Sequence, residues 1–179
     1  MAKYVALLRG INLGKQNRVS MAKLRKMLAD LGYSEVSTYL QSGNAVFTSP
    51  RRSVRTLAGE IEARIARDLD LDIAVTVVPA AELVAIVDDN PLATRDRDPA
   101  KLMAAFLWGQ PRAAVLRAID PREFIPEEFA LGKRVIYLWL PMGTQGSTLV
   151  GALTDKKLGV TTTIRNWRTV TKLAEVVTG

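Results

Sequence analysis

The chain has 179 residues, of which 48% are hydrophobic, 24% charged and 6% aromatic, with a formal net charge of +7; this is the make-up of packed globular structure and excludes a disordered tail or a stacking-rich surface. Cysteine and histidine are both absent, which excludes disulfides, thiolate nucleophiles, cysteine- or histidine-bound zinc and haem, Ser-His-Asp triads and Cys-His pairs. No run approaches the roughly 18 uncharged apolar residues that cross a bilayer, and the start MAKYVALLRG lacks an export signal, so the expectation is a cytoplasmic protein with no membrane partner.

In chain order, Lys3–Arg9 contains a short run apolar on both faces, Tyr-Val-Ala-Leu-Leu, which predicts a buried central strand. The stretch Arg9–Val19 is long for a strand-to-helix connection and is rich in Gly, Asn and positive charge. Met21, Leu24, Leu28 and Leu31 share one helical face, with Ser20 typed as the N-cap and Gly32 as the stop. Ser20-Met21-Ala22-Lys23 also spells the Ser-x-x-Lys of serine acyl-enzymes, but no companion motif accompanies it. Val36–Leu40 and Ala45–Thr48 read as strands joined by a turn at Gln41-Ser42-Gly43-Asn44. Leu57, Ile61, Ile65 and Leu69 predict a second helix, and Ile73–Val78 a fourth strand. Between them, Asp68-Leu69-Asp70-Leu71-Asp72 imitates the start of a calcium loop, with Ile73 where that loop needs glycine.

A helix over Ala81–Asp88 and a Pro-bearing stretch to Ala100 form a connection, after which the element order repeats. Leu102–Trp108 is a strand and Arg112–Ile119 a helix. Glu128–Leu131 and Arg134–Leu140 form a hairpin about Gly132-Lys133, and Ser147–Leu158 is one helix stopped by Gly159. An extended piece to Ile164 and a last helix from Asn166 close the chain. The fold expected is therefore α+β: ferredoxin-like β-α-β-β-α-β subdomains at 1–79 and 101–179, joined by a short helical linker at 80–100, with an extra C-terminal helix.

Three ordered motifs resemble a mostly bacterial family known only as a domain of unknown function: Ala6-Leu7-Leu8-Arg9-Gly10-Ile11-Asn12-Leu13-Gly14, Tyr39-Leu40-Gln41-Ser42-Gly43-Asn44-Ala45-Val46-Phe47 and Arg165-Asn166-Trp167-Arg168-Thr169-Val170. The resemblance implies two ferredoxin-like subdomains and a cytoplasmic setting, and no activity. The chain departs from the family pattern at Lys15, where relatives often have a second glycine, and at Arg168, where asparagine is common. It also reads Gly146-Ser147-Thr148-Leu149 where relatives frequently have Gly-x-Ser-Lys-Leu.

Charge is unevenly distributed: residues 1–55 carry +8 and the remainder −1. In a ferredoxin-like unit the loop after the first strand and the turn between the second and third emerge at one sheet end, bringing Gly10–Val19 beside Gln41–Asn44. Glycines, exposed N–H groups and cations leading into a helix suit an anion such as phosphate, although the spacing is one residue short of a P-loop and Gln16 stands where a magnesium-binding Ser or Thr would be. The candidate ligand-binding residues are Arg9, Asn12, Gly14, Lys15, Gln41, Ser42 and Asn44, with Arg165 and Asn166 as a further polar pair; no catalytic or metal-binding set is assigned, and no cofactor is named. These residues support a binding protein, or an enzyme working through bound phosphate, that recognises a small anionic ligand. The alternatives are a nucleic-acid binder using the basic face of residues 1–55, with Tyr4 and Phe47 as stacking rings, and a protein-interaction module without a small ligand.

Overall fold

The computed structural model describes residues 1–179 and divides into two compact units. The first comprises Met1–Val84 with Leu173–Gly179, the second Ala85–Lys172. The grouping departs from the expected linker and from the expected 101–179 subdomain, because the last residues of the chain join the first unit.

The first unit runs β1 (Ala2–Leu8), α1 (Met21–Asp30), β2 (Ser34–Tyr39), β3 (Asn44–Ser49), α2 (Val54–Leu69) and β4 (Val75–Pro79), and then enters α3 (Ala80–Asp88). Its sheet is antiparallel with order β2-β3-β1-β4, the ferredoxin-like arrangement. Tyr4–Leu8 are buried on both faces, as a central strand requires. Helix α1 starts at Ser20, whose hydroxyl accepts from the Lys23 N–H, and buries Met21, Leu24, Met27 and Leu28; Ser20 is thus occupied as a cap. Helix α2 is capped by Ser53 and buries Leu57, Ala58, Ile61 and Ile65. Each of its large buried aliphatics contributes up to about 1.5–3 kcal/mol of transfer free energy. It ends at Asp70 in the left-handed region (φ 54°), while Asp68 pairs with Arg64 and Arg67, so the apparent calcium loop is a helix end held by ion pairs.

Phe47 stacks on Tyr4 (5.8 Å) and Tyr33 (4.6 Å), and the Tyr33 hydroxyl donates to Glu60 of α2 at 2.5 Å. All three rings are buried in the core, and Tyr4 also donates to the Arg51 carbonyl. The expected stacking platform for bases is therefore internal, because these rings gain more by packing together than by facing water.

The second unit takes the rest of α3, a 3-10 turn (Pro99–Lys101), β5 (Leu102–Trp108), α4 (Ala113–Ala118) and a second 3-10 turn (Pro121–Phe124). It continues through β6 (Glu128–Gly132), β7 (Val135–Trp139), α5 (Thr148–Ala152), α6 (Asp155–Leu158) and β8 (Thr161–Asn166) into α7 (Trp167–Thr178). The sheet order β6-β7-β5-β8 repeats the ferredoxin-like arrangement. The single helix expected over Ser147–Leu158 is two, broken at Leu153-Thr154. Leu149, Leu153 and Leu158 all enter one core cluster, and the five-residue step from 153 to 158 does not fit a continuous helix face. The hairpin turn is Lys133-Arg134, one residue later than expected, with Arg134 at φ 59°. Gly132 ends β6 instead, and a Cβ there would lie 2.6 Å from Val135 and 2.8 Å from Tyr137. No helix is long and apolar enough to cross a membrane.

Candidate functional site

The register places three connections at one end of the first sheet. Leu7 pairs with Asn44 and Leu8 with Val75, so the loop after β1, the turn before β3 and the loop before β4 emerge together. The Leu8 N–H donates to the Gly43 carbonyl (2.8 Å) and the Arg9 N–H to that of Ala74 (2.9 Å).

Asn12 ties the first two connections. Its Oδ1 accepts from the Val19 N–H (2.9 Å), and its Nδ2 donates to the carbonyls of Val19 (2.9 Å) and Gln41 (2.6 Å). The Asn12 N–H donates to the Asn17 carbonyl and Asn17 Nδ2 to that of Gly10, closing the loop upon itself. Ile11 and Val19 are buried as its two feet, and the segment Leu13–Gln16 between them is exposed. The Ile11 side chain fills the space a Cβ would take at Gly43, 2.7 Å away, and Gly43 sits at φ 84°; the turn needs glycine both for its backbone and for this contact.

The candidate residues separate accordingly. Asn12 and Asn44 spend their amides on the fold: Asn44 is 0% exposed and donates to the Tyr39 carbonyl (2.8 Å) and Ser42 Oγ (3.0 Å). Arg9, Gly14, Lys15, Gln41 and Ser42 are exposed, as is Arg18. Lys15 and Arg18 enter no hydrogen bond or ion pair. Leu13 (73% exposed) and Leu40 (53%) stand on the same two connections. Sequence reasoning missed the carboxylates at this end: Asp70 and Asp72, both exposed, belong to the loop leading into β4 beside Arg9. The signal that locates them is the strand order, which sets β4 next to β1. Negative charge therefore borders the cations on the β4 side, whereas the β2–β3 turn, Gln41–Asn44, is uncharged.

Arg165 and Asn166 lie within the second unit. Arg165, on β8 opposite Ala104, is largely buried and donates to the Ile164 carbonyl, and burial pushes its guanidinium down to about 10, still protonated at neutral pH. Asn166 caps α7 by accepting from the Arg168 N–H (3.0 Å) and donates to the Ala100 carbonyl (3.0 Å). Its amide is thereby committed to helix and strand ends, as the sequence suggests for an N-cap. The Gly143–Ser147 connection leaves β7 at this same sheet end, since the Leu140 N–H donates to the Lys101 carbonyl next to Ala100.

These features define an α+β protein of two ferredoxin-like units, with a stitched, cation-bearing loop and turn at one end of the first sheet. The chain belongs to the family described as "Protein of unknown function (DUF1697)", whose model matches residues 1–137. It is similar in structure to a conserved bacterial protein from Streptococcus pneumoniae, with TM-score 0.75 and 25% sequence identity over 98% of this chain and 98% of that one. No curated protein matches it.

Proposed function

We propose that the first unit binds a phosphate-bearing or other small anion on the exposed surface formed by Arg9, Gly14, Lys15, Gln41 and Ser42, with Arg18 alongside. The observation that carries this reading is the Asn12 tie to Gln41 at 2.6 Å, which holds the cationic loop against the turn. A loop already fixed by its own backbone loses less entropy on binding than a free one. Arginine and lysine neutralise the ligand's charge, while the Gly14 and Lys15 N–H groups and the Gln41 amide orient its oxygens. Asn12, Gly43 and Asn44 act here as positioning residues.

The exposure of Leu13–Gln16 favours one second reading, an extended polyanion lying across residues 1–55. Thermal-shift measurements with inorganic pyrophosphate, mononucleotides and a mixed-sequence oligonucleotide separate the two. A ligand at about 100 times its Kd stabilises the folded state by about 2.7 kcal/mol, a rise of about 5–10 °C for a chain of this size. The reading predicts such a rise with a small phosphate ligand, lost in the Arg9→Ala/Lys15→Ala variant and weakly dependent on salt. A response to the oligonucleotide alone, collapsing between 50 and 200 mM salt, would transfer the function to the polyanion surface; no response to any probe would remove it.

A further inference from the structure

The sheet of the second unit ends on β6, whose five residues bond β7 on one side only. Gly132 and Val135 flank the two-residue turn as a hydrogen-bonded pair, and such pairs alternate along an antiparallel ladder, so Ala130 and Glu128 also turn their backbone groups to β7. The N–H and C=O groups of Phe129 and Leu131 therefore face the open edge, where they bond no other segment. Their side chains share the face of Ile136 and Leu138, on which the core of this unit packs. Phe129 lies half-buried against that core, but Leu131 is 54% exposed and, with Leu107 and Leu116, lines a cleft of about 290 Å³ beside the six-residue α4. The core is thus open along this edge. The other sheet edges are guarded: β2 is broken by a register shift between Ser34 and Ser37, with Glu35 at φ 51°, while Val75–Val78 of β4 and Thr162, Thr163 and Arg165 of β8 are buried. Strand β6 has neither proline nor bulge nor cover, the devices that ordinarily keep an edge from pairing.

We propose that β6 pairs antiparallel with β6 of a second copy of this chain, centred on Ala130, so that the two four-stranded sheets become one continuous sheet. In that register Phe129 of each copy lies opposite Leu131 of the other. The outward N–H and C=O groups of both residues then bond reciprocally, and each exposed Leu131 gains a phenyl ring as its cross-strand neighbour. Ala130 falls on the twofold axis as a non-bonded pair with Cα atoms about 4.5 Å apart, where a methyl fits and a larger side chain would crowd its copy. Antiparallel pairing also brings the acidic start of each strand to the end of the other. Lys133, which enters no hydrogen bond or ion pair, lies there beside Glu128, whose carboxylate is 50% exposed while its Oε1 accepts from Arg97 at 2.7 Å. This pattern is complementary to itself when the strand runs antiparallel to its own copy, which selects a second copy over an unrelated extended chain. An interface built on one five-residue strand belongs to the small, transient class, under about 1,200 Å², so the dimer dissociates on dilution. It stands whether or not the first unit binds an anion.

The test is sedimentation velocity of the full chain over roughly 5–500 μM, the span of a weak, transient dimer. A monomer–dimer equilibrium is expected, with dimer predominant at the top of the range. Leu131→Lys and Lys133→Glu are each expected to weaken it about tenfold or more. Both positions are exposed, and an unchanged melting temperature in dilute solution checks that the variants fold. Mixing Lys133→Glu with Glu128→Lys is expected to restore dimers, because the reversed charges are complementary only between the two different chains. The amides of Phe129 and Leu131 are expected to gain exchange protection as concentration rises, whereas Ala130, already bonded to Tyr137, keeps the protection it has. A chain that stays monomeric throughout the range, a dimer indifferent to Leu131→Lys, or a mixture of the two folded charge variants that fails to pair would overturn the proposal. Protection of the Phe129 and Leu131 amides only on addition of an unrelated extended peptide would overturn it too, by giving the edge to another partner.

Discussion

Replacing Asn12 by alanine is the sharpest probe of how the first unit holds its loop. The substitution strips the buried Val19 of partners for its N–H and its carbonyl and releases the Gln41 carbonyl. A buried backbone group left without a partner costs about 1–3 kcal/mol, and water entering the half-buried space vacated by Asn12 keeps each Val19 loss near the low end. Alanine at the left-handed φ of 55° adds about 1 kcal/mol that asparagine bears more easily. The sum is a loss of about 3–4 kcal/mol in the first unit. Asn12→Gly should lose about 1 kcal/mol less, because glycine relieves only the backbone term. Asn12→Asp should be at least as harmful as alanine, since it keeps the acceptor for Val19 N–H but sets a carboxylate against two carbonyls. The assay is urea unfolding at pH 7 followed by far-UV circular dichroism and by amide signals of residues 1–84. Tryptophan fluorescence is unsuitable, because Trp108, Trp139 and Trp167 all belong to the second unit. An alanine variant within about 0.5 kcal/mol of the parent, with Val19 and Gln41 amides unmoved, would refute the structural role assigned to Asn12.

Gly43→Ala places a methyl 2.7 Å from Ile11 Cδ1 and 2.8 Å from Leu8 Cβ at a positive φ, and should cost about 2–4 kcal/mol by the same unfolding measurement. The Tyr33 phenol is raised above its usual range, chiefly by burial and then by its hydrogen bond to Glu60. The native state therefore holds that proton more tightly than the unfolded chain, and the stability involved is complete below about pH 10 and declines above it. Tyr33→Phe should make the fall in unfolding free energy above pH 10 shallower; an unchanged slope would contradict the assignment. Tyr137, pushed up to about 12 by burial, remains in that variant as an internal reference. In the second unit, Glu127 Oε2 accepts from the buried Leu149 N–H at 3.1 Å. Glu127→Ala should cost about 1–3 kcal/mol by tryptophan fluorescence and Glu127→Gln much less, because an amide oxygen can still accept.

Much of the fold is legible in the sequence because short β-branched runs and i, i+4 apolar spacing express burial directly. Tyr-Val-Ala-Leu-Leu could only be a strand buried on both faces, and Ser20 announces the helix it caps. The break at Leu153 is hidden because Ser147–Leu158 looks helical locally, and only the need to bring Leu158 into the same core as Leu149 and Leu153 splits it. At the candidate site, the nearness of loop and turn follows from topology, and the Asn12–Gln41 bond is its physical expression. The division of labour there is not visible in composition: an asparagine that holds backbone and one that holds a ligand are spelled alike. Asn44 proves fully buried at the head of β3, whereas Lys15, two residues beyond Leu13, is open to solvent. The same holds for Tyr4 and Phe47, whose placement suits either base stacking or core packing until Tyr33 and α2 are seen to cover them.

The central claim is that a backbone-stitched, cation-bearing loop and turn receive a phosphate group. Amide chemical-shift mapping of the full chain with inorganic pyrophosphate, at constant ionic strength, tests it most directly. The account predicts saturable shifts at Gly14, Lys15, Gln41 and Ser42 that disappear in the Arg9→Ala/Lys15→Ala variant. Shifts spread evenly over the surface lysines and arginines, or none among these four amides at millimolar pyrophosphate, would contradict it.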